Sequence, residues 1–160
     1  MSLKLLNKSL VLAAVLMLVF GCKPKVNDIS SYVDLDTYGW RYTDEKKFEF
    51  EQPDTIAKGR YELWVRHTND FPYRNLWLEV LINDSLTSRI DTLNIALSDL
   101  YGNWQGRGIG TDFQLTHIIR DSVKIYPPVD VKIRHIMRVD TLTGIEQVGI
   151  NFIEYPHKEK

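Results

Sequence analysis

The sequence predicts an all-β protein: an antiparallel β-sandwich, jelly-roll-like, of seven or eight strands. Three observations predict it. From Phe48 onward apolar residues recur at every second position in run after run, the pattern of strands with one buried face. Turn-forming residues separate the runs at short intervals. No window of 12 residues after Cys22 carries an apolar stripe at helical spacing. Short strands joined by turns pack as two sheets or close into a barrel, because each must bury one face.

The first 21 residues stand apart. Lys4 and Lys8 precede 11 apolar residues, Leu10 to Phe20. That run is shorter than the roughly 20 residues of a membrane-spanning helix and suits an export signal. It ends in Leu18-Val19-Phe20-Gly21-Cys22, which reads as a lipoprotein cleavage sequence. The small Gly21 admits the backbone to the peptidase, the cut falls between Gly21 and Cys22, and the Cys22 thiol takes the acyl chains. Each buried methylene contributes about 0.8 kcal/mol, and more than one chain makes the anchoring stable. Cys22 is the only cysteine, so no disulfide is expected. Lys23 follows, where an aspartate would favour retention at the inner membrane. No acidic run comes after it. The expected location is therefore the outer membrane, on its periplasmic face.

Residues 22–36 read as the lipidated N-terminus and a tether, being polar, interrupted by Pro24 and without sustained periodicity. Residues 37–156 form the single expected β-sandwich domain, and 157–160 a short tail. Within the domain, Tyr61, Leu63, Val65 and His67 alternate with Glu62, Trp64 and Arg66. Leu76, Leu78, Val80 and Ile82 do the same, as do Val131, Ile133, His135 and Met137, and then Val148, Ile150 and Phe152. Turns are expected at Lys58-Gly59, Asn83-Asp84-Ser85, Asp99 to Asn103, Pro127-Pro128 and Thr143-Gly144.

Composition narrows the function. Without Lys4 and Lys8, 18 Lys and Arg face 21 Asp and Glu, a net charge of about −3, so no basic excess points to nucleic acid. The histidines His67, His117, His135 and His157 have no partner at i+2 or i+4, and no Cys or His pair has zinc-like spacing. His67 and His135 fall in register with apolar neighbours and read as structural. There is no Gly-x-Ser-x-Gly elbow and no phosphate-binding loop. Neither metal nor cofactor is expected. Glu49, Glu62 and Glu79 are present, but nothing sets two of them across a cleft at glycosidase spacing, and no catalytic residue is assigned.

Two stretches are distinctive. Gly102-Asn103-Trp104-Gln105-Gly106-Arg107-Gly108-Ile109-Gly110 holds four glycines in nine residues. It reads either as a tight loop and bulge anchored by Trp104 or as a partner-binding loop. The other runs from Arg66 to Trp77. It is either a turn in which Asn69 and Asp70 bond their own backbone while the aromatics fill the core, or a contact loop rich in the residue types that dominate interfaces. The candidate partner-binding residues are Arg66, Asn69, Asp70, Tyr73, Arg74, Asn75, Trp104 and Arg107. Trp64, Trp77, Trp104 and Tyr73 would also suit a sugar, whose apolar face a flat ring covers. Two of these rings coplanar and exposed would favour a glycan-binding module.

Taken together, the cleavage sequence at Cys22, the run Arg66 to Leu76, Asp91-Thr92-Leu93, the glycine-rich Asp99 to Gly110, Met137-Arg138, Gly144-Ile145 and Val148-Gly149 resemble the GldH family of gliding-motility lipoproteins of Bacteroidetes. The resemblance implies a lipid-anchored, non-enzymatic accessory or scaffold protein of the cell envelope. Its partners would be envelope proteins of the gliding or secretion apparatus, beside the membrane reached through Cys22. Asp is followed by Ser or Thr six times, against about 1.5 expected from 13 Asp and 18 Ser and Thr. With a following aliphatic residue the pattern is similar to an O-glycosylation acceptor of that phylum, which makes Thr55, Ser85, Thr92, Ser122 and Thr141 candidate acceptors. A turn or strand-entry device explains the same pairs without modification.

Overall fold

The computed structural model describes residues 28–49 and 56–155. Cys22, Gly21, Thr55 and His157 lie outside the described residues. The described chain contains no helix. It forms eleven strands: β1 (Asp28–Asp34), β2 (Trp40–Arg41), β3 (Lys46–Glu49), β4 (Ala57–Thr68), β5 (Asn75–Asn83), β6 (Ser88–Ala96), β7 (Arg107–Ile109), β8 (Asp112–Ile125), β9 (Asp130–His135), β10 (Thr141–Leu142) and β11 (Ile145–Glu154). A five-stranded sheet has the order β1-β11-β4-β8-β7, and a four-stranded sheet the order β3-β9-β5-β6. β2 and β10 form a small pair of their own. All pairings are antiparallel. The count exceeds the expected seven or eight because β2, β3, β7 and β10 have four residues or fewer, too few to show a period.

The alternation sets the core. Tyr61, Leu63 and Val65 of β4 pair with Phe152, Ile150 and Val148 of β11, and all six are buried. Leu76, Leu78, Val80 and Ile82 of β5 meet them from the other sheet, with Val131 and Ile133 of β9 and Leu93 and Ile95 of β6. These side chains form one continuous cluster, so the two sheets share a single core. β6 and β8 run beside each other on one side of the sandwich. There Arg120 of β8 forms a two-pronged ion pair with Asp91 of β6, at 2.6 and 2.7 Å.

Two expectations are corrected. Lys58-Gly59 is not a turn but lies inside β4. A side chain at Gly59 would strike the Ile153 carbonyl and the Phe152 ring, and the register with β8 shifts just after it. The glycine thus marks a close approach of strands at a bulge, which a single sequence does not distinguish from a turn. Within the stretch read as a tether, Asp28–Asp34 is the edge strand β1, paired along its length with β11. Its Tyr32 is exposed and Val33 half-buried, so hydrogen bonds to β11 rather than an apolar face declare it a strand. The turns expected at 99–103, 127–128 and 143–144 lie between strands, Pro127-Pro128 through a cis peptide bond, and that at 83–85 begins on the last residue of β5.

Candidate functional site

Both distinctive stretches arrive at the same end of the sandwich. β4 ends at Thr68 and β5 begins at Asn75, so residues 69–74 form their connection. The Arg74 carbonyl accepts the amides of Leu97 (2.8 Å) and Ser98 (3.1 Å), where β6 has just ended. Ser98 pairs with Trp104 as an isolated bridge, and Gln105 N–H donates to the Leu97 carbonyl at 2.7 Å. The glycine-rich stretch then crosses to the other sheet and becomes β7. Asn69 N–H donates to Thr111 in the β7–β8 turn, and Thr68 N–H to Gly144 in the β10–β11 turn, each at 2.9 Å. Four connections are therefore stitched into one surface by main-chain hydrogen bonds.

The expected self-bonding of Asn69 and Asp70 is replaced by a bond from Thr68, whose hydroxyl accepts the Asp70 amide at 3.3 Å. Asp99 organises the neighbouring turn. Its carboxylate accepts the amides of Tyr101 (2.8 Å) and Asn103 (2.9 Å) and the Asn103 side-chain amide (2.8 Å). The Asn103 side chain and these amides hold the Asp99 carboxyl below its ordinary range.

A ring cluster centred on His67 fills the space beneath. The imidazole lies edge-on to Trp104 with centroids 4.8 Å apart, stacks on Phe113 at 5.6 Å and tilts against Phe71 at 6.1 Å. Phe71 in turn meets Tyr73 edge-on at 5.7 Å. His67 Nδ1 sits 2.9 Å from the Thr68 carbonyl, which only accepts, so Nδ1 carries the proton. Nε2 is buried with no hydrogen-bond partner among the described residues. Burial pushes the His67 pKa down, opposed in part by Thr68 and Glu146. The structural reading of His67 and His135 from their register agrees with their full burial.

On the outer face of the five-stranded sheet, Arg66, Gln114 and Arg107 stand side by side on one rung across β4, β8 and β7. They line a groove of about 410 Å³ with Gly108, Ile109, Asp112 and Phe113. Around the rim, Tyr73 and Asn75 line a second groove of about 520 Å³ with Trp77, Ile136, Met137, Arg138 and Val139. Asn69, Asp70 and Arg74 are exposed between them. The eight candidate contact residues thus gather at one end, although Asn75 is partly occupied by Asn94, 2.6 Å away. Sequence reasoning missed Gln114 and Phe113, which are distant from the Arg66 stretch in sequence and join it only through strand register.

The rings expected to suit a sugar are dispersed. Trp64 lies on the outer face of one sheet and Trp77 on that of the other, while Trp104 and Tyr73 are half-buried at the end. Glu62 and Glu79 likewise sit on opposite outer faces, paired with Arg60 and Arg134, and Glu49 is exposed on β3. Ser85, Thr92, Ser122 and Thr141 are all exposed. Several of the aspartates before such residues have structural partners: Asp84 accepts the amides of Leu86 and Thr87, Asp91 holds Arg120, and Asp121 accepts Ser122 N–H and the Tyr155 hydroxyl.

Comparison with known proteins gives two matches. A family model described as GldH lipoprotein matches residues 28–152. The chain is 27% identical, over 159 residues covering 92% of it and 96% of the relative, to a protein of Flavobacterium johnsoniae named gliding motility lipoprotein GldH.

Proposed function

Because the chain belongs to the GldH lipoprotein family, we propose that it is a lipid-anchored accessory or scaffold protein of the outer membrane, working on the periplasmic face with envelope proteins of the gliding-motility or secretion machinery. Acyl chains on Cys22 hold it there. The observation that carries the reading is the convergence of both candidate loops on one hydrogen-bonded end of the sandwich. The strand entering from the anchor adds direction. β1 begins at Asp28, six residues after Cys22, opposite Ile153 of β11, which pairs with Arg60 of β4. The candidate loops begin after Thr68, at the far end of β4. The eight residue steps from Arg60 to Thr68 span about 26 Å at 3.3 Å per residue. The described chain begins at one end of the sandwich and the proposed contact surface lies at the other, free to meet neighbours in the envelope.

The test is photo-crosslinking in native membranes from positions 70 and 107, with position 85 at the anchor end as reference. Capture of discrete envelope proteins from 70 and 107, and not from 85, is the expected result. Recovery of none from either loop position would remove the support.

A further inference from the structure

We infer that the Arg66–Gln114–Arg107 rung receives the carboxylates of an acidic, extended segment of a partner protein, laid alongside β7. The inference deepens the docking role proposed above and rests on it. Register places the two arginines two strands apart, about 10 Å between Cα atoms, with Gln114 between them. Both line the same groove. Neither has a carboxylate within ion-pair distance among the described residues, whereas Arg60, Arg120 and Arg134 each have one. One carboxylate lines the groove, that of Asp112, which accepts the Thr111 hydroxyl at 3.2 Å. Asp34, at the other end of the rung, is engaged by the Gln147 amide at 2.6 Å. Two guanidinium groups therefore face the groove against one carboxylate, a balance that favours an anion.

The Arg66 guanidinium lies 5.6 Å from the centroid of the Trp64 ring. That contact orients it without neutralising it, and the planar fork suits a carboxylate. A protein strand fits this place better than a sugar chain. β7 is the outermost strand of its sheet and all three of its residues are exposed, so the main-chain groups on its outer side have no sheet partner. An added strand would use them and bring alternate side chains over the rung. Ile109, 93% exposed, offers an apolar contact beside it. The Trp64 ring, one of those that could stack a sugar, carries Arg66 over its face.

The test uses the mature lipidated chain in detergent. A labelled ten-residue peptide alternating Glu and Val is titrated by fluorescence anisotropy, beside the same peptide with Gln for Glu. The Glu peptide should bind, more weakly at higher salt, and the double variant Arg66→Gln, Arg107→Gln should lose at least tenfold in affinity. Arg89→Gln, at the opposite end of β6, should leave binding unchanged. Absence of binding, equal binding of the Gln peptide, or an unaffected double variant would overturn the proposal. An oligogalacturonate that bound more tightly with the same arginine dependence would overturn it in favour of an acidic glycan. The crosslinking experiment separates the two readings. Partners still captured from position 70 while the Glu peptide fails to bind would leave the docking surface standing and end its acidic specificity.

Discussion

At the scale of single residues, His67 shows how the end of the sandwich is held. Its neutral ring packs among Phe71, Trp104 and Phe113, and its unpaired Nε2 makes protonation costly in the folded state. His67 and His135 both have folded pKa values lowered by burial. The unfolded chain then takes up protons first, below about pH 6.5. Stability from these residues is complete above that pH and is lost as the pH falls toward the folded values. Thermal melts of the native protein between pH 7.5 and 5 should show a declining Tm, and His67→Phe should flatten part of that slope. An identical slope in the variant would show that His67 is not the group responsible. Gly144 is a second such point. Its φ is +80°, and an added Cβ would meet the Phe71 backbone at 2.6 Å. Gly144→Ala should cost about 1–3 kcal/mol and loosen the loop at 69–74, measured as a lower Tm and faster amide exchange at Asn69 and Phe71. The exposed Ser85, Thr92, Ser122 and Thr141 make a separate prediction. Intact mass of protein from its native host should exceed that of the acylated chain by whole glycan units. The mass of acylated chain alone would assign the Asp-Ser and Asp-Thr pairs wholly to turns and strand packing.

At the scale of elements, the long strands were legible and the short ones were not. β4, β5, β9 and β11 announced themselves because one face of each is buried, so a period of two is written into their residues. β1 and β7 are edge strands with mostly exposed side chains, declared by main-chain pairing that leaves little mark on side-chain type. β8 needs help on its open side. β7 covers only its first three residues, and beyond them the Arg120–Asp91 pair ties it to β6 in the other sheet. Arg120 is substantially exposed, so solvent screening limits the contribution to about 1 kcal/mol or less. Asp91→Asn should therefore lower Tm by a few degrees at most, with the difference shrinking in high salt. A large, salt-independent loss would mean that Asp91 acts through packing instead.

At the scale of the whole molecule, the arrangement of two sheets around one core explains why the candidate residues meet. Antiparallel strands return each loop to one of two ends, and the connections β4–β5, β6–β7, β7–β8 and β10–β11 all fall at the end away from Asp28. By itself the sequence determined the fold class, most core residues and the family. Each of these is carried by local pattern: a period of two, or residues in fixed succession. Only the tertiary structure decided that Lys58-Gly59 lies within a strand, that the tryptophans point to different faces, and that Arg66 and Arg107 share a rung. Those facts depend on which strand lies beside which and in what register, contacts made between residues tens of positions apart that a single sequence does not record.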